Sequence, residues 1–161
     1  MPYLSWNASL ELGHEQIDRE HKGMLGQINR LFDAVFSECD RLASEHGSAS
    51  RSVCVAAAVA SLRICAAEHF CSEEALMQAA DFPASPHHTE QHAELLEQLS
   101  NFEAHFHSTH ADSLPHAVRF LREWFEFHVD TYDRALVRWL MTGAAESVDD
   151  GDASSSGGHA G

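Results

Sequence analysis

The sequence predicts an all-α protein, an up-down-up-down four-helix bundle with an extended N-terminal arm and a disordered C-terminal tail. Three observations carry this expectation. Apolar residues recur at steps of three, four and seven in four long stretches, polar segments holding Gly, Pro or Ser separate them, and no stretch alternates as a strand would. At 161 residues the chain is one domain with room for a substantial core. The bundle is expected over residues 1–143 and the tail over residues 144–161.

Met1 to Leu12 carries Trp6 and Leu10 without helical period and reads as an arm packed over the bundle. A first helix is expected from near Asp18 to about Ser44, striped by Ile17, Leu25, Ile28, Leu31, Phe32 and Val35, with His21 on the stripe. Glu45 to Ser50, with Gly47, reads as a turn. The second helix should run from about Arg51 to Ala80, placing Leu62, Cys65, His69, Glu73, Leu76 and Met77 on one side. Its first half, Val53 to Ala60, is small and apolar, which favours close helix packing. Phe82-Pro83 breaks the pattern, and Ser85-Pro86 supplies a cap followed by proline at the first helical position. The third helix then continues to about Thr109 through His88, His92, Leu95, Leu99, Phe102 and Phe106. Ser113 and Pro115 open the fourth, which carries Val118, Leu121, Trp124, Phe125, His128, Leu136 and Trp139 and ends near Gly143. Beyond it, Ser, Gly, Asp and Ala dominate, a composition unable to build a core.

A net charge of -15 argues against nucleic acid and anionic membrane surfaces as partners, since both require a basic face. Cys39, Cys54, Cys65 and Cys71 show no CxxC spacing and read as free thiols in a reducing compartment. No charged leader with an apolar run opens the chain, and nothing approaches 18 uninterrupted apolar residues. The expected protein inserts into no membrane and resides in the cytoplasm.

The outlying number is 13 histidines. His69 with Glu73, and His88 with His92, are spaced i, i+4, so each pair shares one helix face about 5–6 Å apart at Cβ and can hold a metal ion between its side chains. Every helix carries a histidine on its apolar stripe: His21, His69, His88 with His92, and His128. A single such residue is ordinarily a hydrogen-bonded core histidine. Five on four facing stripes would cost a few kcal/mol each if left without partners, and a shared metal centre removes that cost. No thiolate occupies a ligand position, and five imidazoles exceed the four places of tetrahedral zinc. They suit two six-coordinate ions sharing carboxylates, with nitrogen-rich ligation compatible with iron rather than magnesium or calcium. Glu73 is the first candidate bridge. Asp130 and Asp133 both follow His128, and spacing does not choose between them.

These residues resemble one family closely, the hemerythrins, and within it the single-domain bacterial type. The opening Trp6…Gly13-His-Glu-Gln-Ile17-Asp18-Arg-Glu-His21-Lys22 resembles its N-terminal signature, and His69-Phe-Cys-Ser-Glu73-Glu74-Ala-Leu-Met77 its HF-x-x-EE-x-x-M element. Phe82-Pro83 ahead of His88-x-x-x-His92 resembles YP…HxxxH, and Trp124-x-x-x-His128-x-x-x-x-Asp133 resembles W…HxxxxD, which favours Asp133. The resemblance implies a non-haem diiron centre. One iron would be held by His88, His92 and His128, the other by His21 and His69, with Glu73, Asp133 and an oxo or hydroxo group bridging them. It further implies that O2 binds reversibly, as a hydroperoxide, at the open position of the two-histidine iron, for storage, buffering or delivery to a recipient. Leu25 and Trp124 are the expected apolar lining of that position. Two departures stand out: a longer interval between His21 and His69, which could build a partner surface, and the extra tail.

The five-histidine, two-carboxylate set suits holding peroxide better than cleaving it, so an enzyme is not expected. A diiron sensor of oxygen, redox state or nitric oxide, and a peroxidase-type enzyme, are the competing readings. Among residues outside the set, Cys65 reads as a buried inert thiol, Cys71 as rotated away and His87 as surface. His105, His107, His110 and His116 read as a solvated polar loop, with a second, weaker metal site as the alternative. Asp18 reads as a cap of the first helix or a partner orienting His21.

Overall fold

In the computed structural model the described residues are 2–36, 43–105 and 113–143, with side chains of 43–52 and 105 excepted. They form α1 (Glu15–Phe36), α2 (Ala43–Ala79), α3 (Ser85–His105), α4 (Leu114–His128), a π-helical turn (Val129–Asp133) and α5 (Arg134–Thr142), with no strand among them. α4, the π turn and α5 together make the fourth bundle helix, so the expected all-α four-helix bundle is what the chain adopts. The expected tail after Gly143 lies outside the described residues.

Helix α1 starts one turn earlier than its apolar stripe suggests because His14 caps it. The Asp18 amide donates to the His14 carbonyl at 2.9 Å, and the Ile17 amide approaches His14 Nδ1 at 3.5 Å. Asp18 itself does neither job expected of it. Its carboxylate accepts the Leu12 and Gly13 amides at 2.8 and 2.9 Å, and so fastens the arm at Gly13, whose φ of 85° suits glycine. Further along, Leu4 exchanges two 2.8 Å hydrogen bonds with the Asn29 side chain, Tyr3 stacks on Phe32 at 4.2 Å, and Leu4 and Leu10 are buried. The arm is therefore part of the core.

The turn expected over Glu45 to Ser50 does not form; α2 runs through it as continuous helix. No proline interrupts the stretch, and one interior glycine costs only about 1 kcal/mol, which a long packed helix outweighs. Between α2 and α3 the chain reverses at Asp81, which has a φ of 48°. Phe82 tucks in, its amide on the Met77 carbonyl at 3.0 Å, and Trp139 Nε1–H closes the turn on the Ala80 carbonyl at 2.8 Å. Ser85 lies just inside α3 rather than capping it, since the His88 amide donates to Ala84. Ser113 does sit at the N-cap of α4, with proline following, and Gly143 ends α5 in the left-handed conformation with its amide on Trp139.

The core has two parts. The larger holds Met24, Ile28, Leu62, Phe70, Leu95, Leu121 and Phe125; the smaller holds Ile17, Met77, Phe82, Leu136 and Val137. Along every helix the candidate ligands fall between the two: His21 after Ile17, His69 and Glu73 before Met77, His88 and His92 after Phe82, and His128 and Asp133 before Leu136. The polar site is thus one layer of the bundle, closed above and below by apolar side chains.

Because Asp18 receives two amides, Asp18→Ala should cost about 1–3 kcal/mol in urea unfolding and accelerate amide exchange at Leu12 and Gly13. Unchanged exchange at those two amides would show that the arm is held by its apolar anchors alone.

Candidate metal centre

Seven polar side chains are buried in that layer: His21, His69, Glu73, His88, His92, His128 and Asp133, each no more than 3% exposed. They are the seven residues selected from the sequence, and the structure brings all of them together. Their ligand atoms form two overlapping sets whose members lie within 4.8 Å of one another. One is Glu73, His88, His92, His128 and Asp133; the other is His21, His69, Glu73 and Asp133.

The i, i+4 pairs come from ordinary helix, but His128 and Asp133 are five apart. In an α-helix that spacing leaves them roughly 140° out of phase. The π turn removes the mismatch. The Arg134 amide reaches back five residues to the Val129 carbonyl, widening the helix so that residue 133 comes under residue 128. This brings Asp133, and not Asp130, into the layer. Asp133 is buried, with Oδ1 3.0 Å from His88 Nε2 and 3.1 Å from His128 Nε2, while Oδ2 lies 3.0 Å from His21 Nε2. Asp130 faces solvent and pairs with Arg134 at 3.0 Å.

Glu73 Oε2 lies 3.4–3.6 Å from the Nε2 atoms of His69, His88 and His92. Both Glu73 oxygens, Asp133 Oδ2 and His21 Nε2 are buried without a hydrogen bond, although His21 and Asp133 are 3.0 Å apart. The distances are short but the directions are wrong for hydrogen bonding. Each unpaired buried group costs about 1–3 kcal/mol. The three Nε2 atoms of His88, His92 and His128 are 3.1–3.2 Å apart where measured through His128, close to the roughly 3 Å that separates two neighbouring ligands about 2.1 Å from one ion. Lone pairs converging at this spacing are the geometry of a cation site.

Carboxylates outside the layer set the tautomers. Glu20 Oε2 accepts from His69 Nδ1 at 3.0 Å and Glu74 Oε1 from His92 Nδ1 at 3.0 Å, so each ring keeps its Nε2 lone pair inward. Glu20 is held in turn by Ser72 at 3.1 Å and by Gln16 at 3.1 Å. Sequence reasoning gave neither glutamate a role. The signal was adjacency, since Glu20 precedes His21 and Glu74 follows Glu73, each displaced about 100° onto the neighbouring helix. Burial, reinforced by His21, lowers His69 to about 4, and burial with His88 and His128 lowers His92 to about 2. Both are neutral at neutral pH. Burial and then the neighbouring Asp133 push Glu73 well up, whereas Asp133 is pulled well down against its burial by His128, His21 and His88.

Trp124 stacks on His128 at 4.4 Å, which places it beside the three-histidine set, and Leu25 is a buried member of the larger core. Phe125 lies 5.7 Å from His21, and Phe70 lies between the two sets, stacked on His92 at 3.9 Å and 5.5 Å from His69. Cys65 lines a cavity of about 210 Å³ with Glu20, Gly23, Glu68 and His69; burial raises its thiol, in keeping with an inert cysteine. Cys71 and His87 are exposed, and His87 bonds Tyr132 at 3.2 Å. Of the loop histidines, His116 is exposed; His107 and His110, and the His105 side chain, lie outside the described residues.

Fold and site define a four-helix bundle with two unequal histidine–carboxylate ligand sets sharing Glu73 and Asp133. Residues 12–140 match the Hemerythrin HHE cation binding domain, and the chain belongs to the hemerythrin family. It is 29% identical over 140 residues to the bacteriohemerythrin of Ralstonia nicotianae, covering 87% of this chain and 90% of that one. It is 27% identical over 150 residues to that of Pseudomonas aeruginosa, covering 93% and 90%. The hemerythrin of Phascolopsis gouldii is 25% identical over 132 residues, covering 82% and 88%. A crystal structure of a hemerythrin with one leucine replaced by tyrosine superposes with a TM-score of 0.64 at 22% identity, covering 83% of this chain and 94% of that one; this likeness shows the fold.

Removing metal exposes the pKa shifts as a pH dependence. Between the ordinary histidine value of 6.5 and about 4, the unfolded chain binds up to two more protons than the folded one at His69 and His92. Glu73, raised in the fold, opposes them with at most one. The metal-free protein should therefore lose stability as pH falls from 6.5 toward 4, by about 1.4 to 2.7 kcal/mol per unit where the slope is steepest. Urea midpoints at pH 7, 6 and 5 that rise on acidification would contradict this balance.

Proposed function

We propose that His88, His92 and His128 hold one iron and His21 and His69 the other, with Glu73 and Asp133 bridging the two together with an oxo or hydroxo group. On this reading the chain binds O2 reversibly, to store, buffer or deliver it, and is a carrier rather than an enzyme. The observation that carries the proposal is the inequality of two sets joined by shared carboxylates. Asp133 turns one oxygen to each set, and the set with His21 and His69 is one donor short of the other. An ion there keeps one more position for an exogenous ligand. When bound, a ferrous pair supplies the two electrons that hold O2.

The chain's own residues supply the rest. Glu20 and Glu74 keep Nε2 of His69 and His92 free of protons, which holds the ligand field constant across neutral pH. Phe125 beside the two-histidine set, and Phe70 between the two sets, limit water and external reductant. Residues 1–143 act as one unit, and the unpaired Cys54, Cys65 and Cys71 suit a reducing cytoplasm. The family membership and the names of the relatives support the same reading.

The test is the visible spectrum of the reduced, iron-loaded protein through a cycle of O2 addition and removal. A charge-transfer band that appears with O2 and is lost on its removal is expected. Direct conversion to the diferric form without that band would favour a sensor or an enzyme. For the ligand assignment, Glu73→Ala should retain less than half of the iron while far-ultraviolet circular dichroism keeps its helical form; two irons per chain in that variant would overturn the bridge. His87→Ala, altering an exposed side chain, should leave iron content unchanged.

A further inference from the structure

Tyr132 touches the ligand layer without belonging to it. The π turn that carries Asp133 inward sets Tyr132, one residue earlier, half-buried at the rim. Its ring stacks on His128 at 5.1 Å and lies 5.5 Å from His88, so it borders two members of the three-histidine set. Trp124, four residues before His128 as Tyr132 is four after, stacks on the same imidazole at 4.4 Å and 15°. His128 thus joins two oxidisable rings. The Tyr132 hydroxyl is 3.2 Å from Nε2 of His87, whose side chain is 63% exposed. Glu90 Oε2 lies 3.4 Å from the other nitrogen, Nδ1, which therefore carries the ring proton and leaves Nε2 to accept from the phenol. The chain's other tyrosine, Tyr3, stacks on Phe32, about 16 Å along α1 from His21.

We propose that Trp124 and Tyr132 are a two-electron reserve against hydrogen peroxide, each giving one electron through His128 while the phenolic proton of Tyr132 passes to His87. The proposal rests on iron occupying the three-histidine set. An O2 carrier that loses two electrons to its ligand, with two protons from solvent, releases hydrogen peroxide, so the oxidant arises at the centre itself. Breaking the O–O bond of a further peroxide to give two water molecules takes two electrons and two protons. The phenol supplies one of each and becomes a phenoxyl radical; the indole supplies one of each and becomes an indolyl radical. The two protons released, one by way of His87 Nε2, match the two taken up. Tyr132 has an acceptor for its proton already in place, so the longer-lived radical resides there. Oxidising equivalents are thereby drawn from the buried ligands to the surface, where small reductants can reach them.

Freeze-quenched electron paramagnetic resonance of the diferric protein mixed with hydrogen peroxide tests this, with iron counted in every sample. A tyrosyl signal is expected. Tyr132→Phe, which keeps the ring and removes the hydroxyl, should abolish it, and Tyr3→Phe should leave it unchanged. Trp124→Phe should lower its yield by half or more, and His87→Ala should slow its formation by about tenfold or more. Zinc-loaded protein treated in the same way should give no radical. Two irons per chain without a protein radical would overturn this proposal while leaving the ligand assignment standing. A signal that survives Tyr132→Phe, forms equally with zinc, or is indifferent to Trp124→Phe or to His87→Ala would overturn it as well.

Discussion

The constraint on which the structure depends is the burial of two carboxylates and five imidazoles in one layer of an otherwise apolar bundle. Glu73 and Asp133 have no exposure, and three of their four oxygens, with four neighbouring imidazole nitrogens, lack hydrogen-bond partners. Left so, the layer costs several kcal/mol, comparable to a large part of a domain's net stability. A cation pair would change the sign, pairing with the lone pairs that protein groups do not satisfy and returning Glu73 to the ionised form that burial and Asp133 oppose. Folding and metal capture would thereby be linked.

Helix registers follow from that layer. Ile17 and Met77 seal it on one side and Phe70 and Phe125 on the other, so each helix must present its ligands at one height. Three helices meet the requirement with i, i+4 spacing or a single residue. The fourth has a step of five from His128 to Asp133 and meets it by widening into a π turn while α5 continues in line beneath. The turn is local backbone geometry placed where the chemistry needs it.

Much of this was legible in the sequence, because imidazoles on apolar stripes have no bland explanation in such number. His21, His69, His88, His92 and His128 announced the centre, and four stripes announced the bundle. The parts that were hidden involve relations that periodicity does not encode. The choice of Asp133 over Asp130 rested on family resemblance, since no residue pattern marks a π turn. Glu20 and Glu74 act across helix pairs, and their spacing to His69 and His92 depends on tertiary packing. The turn expected near Gly47 was overridden by helix continuity, and Asp18 found its partners in the arm rather than in its own helix.

The central claim is that two irons are held by unequal sets and share carboxylates. Iron analysis combined with low-temperature Mössbauer and electron paramagnetic resonance spectra of the oxidised protein tests it most directly. Two irons per chain in inequivalent environments, coupled so that the diferric form is silent in electron paramagnetic resonance, are expected. One iron per chain, or two uncoupled high-spin ferric signals, would contradict the shared bridge.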